Sequence, residues 1–331
     1  MTRMLFRVFR RVFVWGLAAV GLVAVVLVGL IAQPLSRPAP LVSISQTVRS
    51  VDRSDMPPLE HFQARDGTFL AFRHYPARVA GVETVAVLVH GSAGSSTAVH
   101  QLAKALAQHG VETFAPDIRG HGASGTRGDI GYGGQLQDDL ADLVATVRLT
   151  HPTAPLVLLG HSAGGGFALR MAGSSIQQLF TRTILLAPYL GYKETTNRPN
   201  GGGWAAPDYP RIVGLIALRR MHIACCESLP VIAFAVPPHS AMAAASHYSY
   251  RLLFDFGAGL DFRESLAAAT RPVSIYSGTD DELMRSDNYQ ATVGDKVKVT
   301  LLPGVNHMGI VSDPAATARI AEDIAHSDVK S

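Results

Sequence analysis

Apolar positions along the chain fall into three patterns. Residues 12–32 (VFVWGLAAVGLVAVVLVGLIA) run for 21 positions without a charge, enough for a helix rising about 1.5 Å per residue to cross a hydrocarbon core of roughly 30 Å. Four short stretches are almost continuously apolar: 85–90 (VAVLVH), 156–160 (LVLLG), 183–187 (TILLA) and 273–277 (VSIYS). Such runs suit strands buried on both faces of a parallel sheet. Helical periodicity marks residues 98–109, 134–150, 163–174 and 315–325. The alternation predicts an α/β domain with helices on both faces of its sheet. Two weaker strands, 61–64 and 69–75, flank Asp66-Gly67, a hairpin turn pair that would open the sheet antiparallel. Residues 296–302 alternate Lys296, Lys298 and Thr300 with Val297, Val299 and Leu301, as a half-exposed edge strand does.

Residues 188–269 break the alternation. They hold Gly201-Gly202-Gly203 and several prolines but no evident strand followed by a long helix, and read as an insertion over one end of the sheet. The competing reading is two ordinary α/β units with irregular loops. The predicted layout is a basic flank (1–11), a membrane anchor (12–32), a linker (33–58) that begins as a Pro-rich spacer, and an α/β domain (59–327).

Composition narrows the classes. With 47% hydrophobic and 17% charged residues, the chain can bury enough surface to offset its ordering entropy, which excludes general disorder. The net charge of +3 is local: Arg3, Arg7, Arg10 and Arg11 precede the first acidic residue, so residues 1–32 carry +4 and the rest −1. No nucleic-acid footprint survives. By the positive-inside rule the arginines place the N-terminus in the cytoplasm and the catalytic domain on the exported side, with Trp15 near an interface. A cleaved signal peptide is the alternative. It is disfavoured because the apolar run exceeds the usual roughly 7–15 residues and Leu30-Ile31-Ala32-Gln33-Pro34 offers no clean cleavage site. The two cysteines, Cys225 and Cys226, are adjacent and too close for a relaxed disulfide. They read as small side chains in a partly buried helix.

Chemistry concentrates at Gly160-His161-Ser162-Ala163-Gly164, directly after a buried strand and directly before a helix. A G-x-S-x-G there is a strand-to-helix elbow holding a serine exposed. Ser162 is the candidate nucleophile, and the glycines are needed because strand and helix approach so closely. A serine needs a base and an orienting acid. In this architecture both follow it, after later strands. His307 lies in the loop after the final strand and is the candidate base. Asp280, Asp281 and Glu282 compete for the acid, and a place three residues after Gly278 favours Asp281. Oxyanion donors would be the backbone N–H of Ala163 and one from His90-Gly91-Ser92-Ala93-Gly94, with Ser92 preferred. His90 reads as a structural turn residue.

Together with Pro116-Asp117-Ile118-Arg119-Gly120-His121-Gly122-Ala123-Ser124 and Gly165, these motifs resemble the α/β-hydrolase superfamily over about residues 59–325. The branch most similar is that of lysophospholipases, monoacylglycerol lipases and serine aminopeptidases. The resemblance implies a mostly parallel sheet of about eight strands, a Ser162-His307-Asp281 triad, a lid formed by the insertion, and structural roles for Asp117, Arg119 and His121. It implies a lipid or small-molecule ester as substrate. Ala163 stands where lipases of this branch often carry Met or Gln, and the lid matches no familiar one.

Rival chemistries remain in view. Ser162 excludes the aspartate nucleophile of dehalogenases and many epoxide hydrolases. Carbon–carbon hydrolases and cofactor-free haloperoxidases share the serine triad. An aminopeptidase needs lid carboxylates for the substrate ammonium, yet Glu194, Asp208, Glu227, Asp255, Asp261 and Glu264 form no cluster. A non-catalytic binding module is a further alternative. No cofactor and no metal are expected: there is no H-E-x-x-H, and His239 and His247 lack a spaced carboxylate. The oligomeric state is left open.

Overall fold

The computed structural model describes residues 2–79, 84–237 and 244–327; His239 lies outside them. Helix α1 (Thr2–Ile31) and a short α2 (Val42–Ser50) precede β1 (Leu59–Gln63), β2 (Phe69–Tyr75), β3 (Val85–Val89), α3 (His100–Gln108), β4 (Glu112–Pro116), α4 (Gln135–Thr150), β5 (Leu156–His161), α5 (Ala163–Ala172) and β6 (Arg182–Leu186). The inserted stretch carries β7 (Ala205–Pro207), α6 (Tyr209–Arg220), β8 (Pro230–Phe234), β9 (His247–Ser249), α7 (Tyr250–Asp255) and α8 (Phe262–Ala268). The chain ends with β10 (Val273–Gly278), α9 (Tyr289–Val293), β11 (Lys298–Leu302), α10 (Gly309–Ser312) and α11 (Pro314–Ser327).

Eight strands form one sheet in the order β1-β2-β4-β3-β5-β6-β10-β11. β1 and β2 run antiparallel at one edge, and the strands from β4 to β11 are parallel. This is the α/β-hydrolase fold that the motif resemblance implied, on the α/β layout that the alternating pattern predicted. The side-chain period of two explains why the central strands are apolar throughout. Val85, Val87 and Val89 face a core shared with α4 and α5, while Ala86 and Leu88 face a second core under α3 and α11. Burying each such Val or Leu contributes about 1.5–3 kcal/mol, so neither face tolerates a polar residue. β11 lies at the sheet edge, as its Lys-Val alternation suggests.

The insertion does not form ordinary α/β units. β7, β8 and β9 make a separate antiparallel sheet, and α6 is a full 12-residue helix capped by Asp208, whose carboxylate accepts from Arg211 N–H at 3.0 Å. Cys225 and Cys226 are free and exposed in the turn after α6, which corrects the expectation of a partly buried helix: Cys226 has φ 69°, incompatible with one. Residues 33–58 also differ from a plain linker, because α2 lies within them.

Helix α1 contains a 27-residue apolar stretch, Leu5–Ile31, long enough to cross a membrane or to serve as a signal sequence. Its C-terminal turn packs on α6. Leu27 and Ile31 contact a cluster built on Leu215, Leu218, Val231 and Tyr250. A β-carbon at Gly214 would lie 2.9 Å from Ile31, so glycine lets the helices cross closely. Arg211 donates to Ile31 O at 2.8 Å and to the carbonyl of Gln33, satisfying the carbonyls a helix end leaves open.

Candidate active site

β5 ends at His161 and α5 begins at Ala163, so Ser162 stands alone at the junction, at φ 55° and ψ −118°. A non-glycine residue in such a region stores about 1–3 kcal/mol of strain. The flanking glycines permit the crossing. A β-carbon at Gly160 would fall 2.1 Å from Gly164 O, and one at Gly164 would fall 2.2 Å from His90 O. Ser162 borders a cleft of about 410 Å³ whose other walls include Ser92, Trp204, Leu283, His307 and Met308.

The three competing acids occupy different environments. Asp281 is fully buried. One carboxylate oxygen accepts from Leu283 N–H at 2.8 Å and Met284 N–H at 2.7 Å, and the other meets His307 Nδ1 at 2.8 Å. Asp280 is exposed and accepts from the Thr279 hydroxyl at 2.9 Å. Glu282 accepts from the backbone N–H of His307 at 2.9 Å. With Nδ1–H donated to Asp281, the free lone pair of neutral His307 is on Nε2.

Charge sets the protonation of this pair. Burial disfavours the imidazolium of His307, but the charge and hydrogen bond of Asp281, joined by the charge of Glu282, outweigh it and raise the pKa above the ordinary histidine value. For Asp281, burial acts to raise the pKa. The His307 charge and the hydrogen bonds from His307, Met284 and Leu283 overcome it and hold the carboxyl below its ordinary value. His161, which donates from Nε2 to His307 O at 3.0 Å, is pushed down to about 3 by burial and by the charge of His307. It is a neutral brace.

The loop at residues 91–94 leans on the serine: a β-carbon at Gly91 would lie 3.1 Å from Ser162 Cβ. Ala93 N–H is engaged by the Tyr248 hydroxyl at 2.7 Å and Gly94 N–H by Gly91 O at 3.2 Å. From Ser92 to Gly94, the Ser92 N–H is the one left without a protein acceptor among the described residues. Residues from the insertion fix this loop. Trp204 Nε1–H donates to Ser92 Oγ at 2.8 Å, and Ala245 N–H donates to Ala93 O at 3.1 Å. The Tyr248 hydroxyl donates onward to His121 Nε2 at 2.6 Å, while His121 Nδ1–H points at Ile118 O.

The Pro116–Ser124 motif braces the same region. Asp117 accepts from Ser96 N–H at 2.7 Å and Ala123 N–H at 2.9 Å. Arg119 pairs with Asp139 at 2.7 Å. His90 donates from Nδ1 to Gly91 O and accepts at Nε2 from Ile118 N–H, a neutral tautomer consistent with the burial that lowers its pKa.

Sequence reasoning missed three contributors. Trp204 and Tyr248 sit far from their partners in the chain, and no local spacing announces such contacts. Helix α2 brings Ile44, Val48 and Arg49 to the cleft wall, with Arg53 just after it; its available signal was the i, i+4 pair Ile44 and Val48, read as linker. The Gly201-Gly202-Gly203 run now has a reason: all three glycines take positive φ, and a β-carbon at Gly202 would lie 2.5 Å from Glu282 O. The turn presses on the Asp281 loop.

Residues 81–314 match the family described as serine aminopeptidase, S33. The chain belongs to that family. Within this S33 family it falls in the lysophospholipase and monoacylglycerol lipase-like branch and is a serine hydrolase of the lipase and esterase type. It is 25% identical over 237 residues to a monoacylglycerol lipase of Mycolicibacterium smegmatis, covering 67% of this chain and 80% of that protein. Mammalian monoglyceride lipases align over 46% of their own length. A soluble variant of monoglyceride lipase from Saccharomyces cerevisiae superposes with a TM-score of 0.61 at 17% identity, covering 83% of this chain and 96% of that one. A membrane phospholipase A described as a bacterial virulence factor gives 0.55 at 14% identity and covers 100% of both chains. At such identities these structures show a shared fold alone.

Proposed function

We propose that this S33 protein is a membrane-anchored hydrolase of monoacyl lipid esters. Ser162 Oγ attacks the ester carbonyl while His307 Nε2 takes its proton, and Asp281 orients the ring and stabilises the imidazolium. The N–H groups of Ala163 and Ser92 hold the oxyanion. The imidazolium then protonates the departing alcohol, and water, deprotonated by His307, releases the fatty acid and restores Ser162. The insertion acts as lid, and residues 12–32 as anchor, with the N-terminus cytoplasmic.

The observation that carries this reading is one cleft joined to one hydrogen bond: Ser162 and His307 line the same apolar-walled cavity, and His307 is bonded to a buried Asp281. Ester rather than peptide chemistry is supported by the lining, which holds no carboxylate among the described residues. A substrate ammonium would have no counter-charge there. Five of the insertion's six acids are engaged elsewhere, Glu194 with Arg263, Glu227 with Arg219 and Asp255 with Arg170, while Asp208 and Asp261 cap helices; the sixth, Glu264, is exposed in the first turn of α8, outside the cleft lining. The test is labelling of the full-length protein by a fluorophosphonate probe. Wild type should label and Ser162→Ala should not; equal labelling of both would falsify the mechanism.

A further inference from the structure

Two arginines in the cleft have no role in that mechanism. Arg49, in the last turn of α2, and Arg53, just beyond it, both line the cavity that holds Ser162. Among the described residues they are its only arginine or lysine side chains, and no carboxylate there pairs with either. Arg49 is exposed. Arg53 is half-buried: Nη1 donates to Val51 O at 3.0 Å and Nη2 to Val48 O at 2.7 Å. Those bonds cap the end of α2, where a cation is favoured. Capping leaves the buried Nε of Arg53 without an acceptor, and it gives Arg49 nothing to do. Burial without a counter-charge also lowers the Arg53 pKa.

We propose that Arg49 and Arg53 form an anion-binding subsite in the cleft, so that the preferred ester is a monoacyl lipid with a phosphate in its head group rather than a neutral monoacylglycerol. This rests on the ester-hydrolase reading above. A guanidinium fork matches phosphate oxygens in geometry as well as charge. With the ester carbonyl at Ser162, the glycerol of a lysophospholipid keeps its phosphate within the same cavity, and the acyl chain has the apolar walls. Both arginines precede the family-matched residues 81–314. Head-group choice is therefore supplied by the segment that joins α1 to the catalytic fold.

The experiment compares kcat/KM of the full-length protein in detergent micelles on 1-oleoyl lysophosphatidylglycerol and on 1-oleoylglycerol, which share one acyl chain. Wild type should prefer the phosphate ester at least tenfold. Arg49→Gln, on an exposed side chain without structural bonds, should lower that preference about tenfold, and the Arg49→Gln/Arg53→Gln pair further. Arg319→Gln on α11, outside the cleft, should leave the ratio unchanged. Equal turnover of the two lipids by wild type, or a uniform loss on both in the arginine variants, overturns the subsite. Inhibition of 1-oleoylglycerol hydrolysis by inorganic phosphate without any head-group preference overturns the lysophospholipid assignment in favour of a free-anion site. Fluorophosphonate labelling of Ser162 separates the two layers: labelling with no head-group preference sinks the subsite alone, and absence of labelling and of all ester turnover sinks the hydrolase reading as well.

Discussion

Asp280 and Asp281 are neighbours with the same side chain, and their surroundings divide the work between them. Asp281 accepts three hydrogen bonds in a site closed to water, whereas Asp280 faces solvent beside Thr279. Asp281→Asn should lower kcat on a p-nitrophenyl ester by about four orders of magnitude, the scale of losing the orienting acid, and Asp280→Asn should stay within about twofold. The reverse pattern would move the role to Asp280. The same pair fixes a pH dependence. His307 must be neutral to accept the serine proton, and its pKa is raised, so activity falls as pH drops through a value above the ordinary histidine one of 6.5. An acid limb of kcat/KM centred at or below 6.5 would contradict the Asp281 contact. At this scale the sequence identified Ser162 and His307 as candidates by position after their strands. It left the acid open among three consecutive residues, because burial, which distinguishes them, is not written in local spacing.

Elements explain which predictions could be made. The strands that alternate cores on both faces were legible because they are almost continuously apolar. β4 was not: it carries Glu112 and ends at Pro116, and a proline argues against a strand unless the position needs no ladder donor. The β7-β8-β9 sheet was hidden by strands of three to five residues. Helix α2, nine residues with one buried side chain, offers only the single i, i+4 pair Ile44 and Val48, too short a face to distinguish it from linker. These short elements carry the contacts that position the site. Tyr248 on β9 ties the Ala93 amide to His121, and Tyr248→Phe would leave both buried groups unpaired at about 1–3 kcal/mol. Because the loop it holds supplies the proposed oxyanion donor, kcat should fall about tenfold with KM within about twofold. A lowered melting temperature with kcat unchanged would make Tyr248 a structural residue only.

The molecule as a whole joins a catalytic fold to a long apolar helix through the insertion rather than through a free tether. The expected orientation follows from four arginines at the N-terminal end of α1 against Arg37 alone in residues 33–40 after it. Alkaline phosphatase fused after Pro40 should be active in a bacterial host; an expressed but inactive fusion would reverse the topology. The run of 21 uncharged residues announced the helix, but nothing in it announced where it would pack. Gly214 and Arg211 did that, and they lie about 180 residues downstream. Their contact with the end of α1 has a kinetic consequence. With α1 as the proposed anchor, a cleft clasped to it cannot rise to sample the bulk phase, so encounters are confined to a plane. Turnover should then track the surface mole fraction of ester, and inert lipid added at constant substrate should slow the enzyme by dilution in two dimensions.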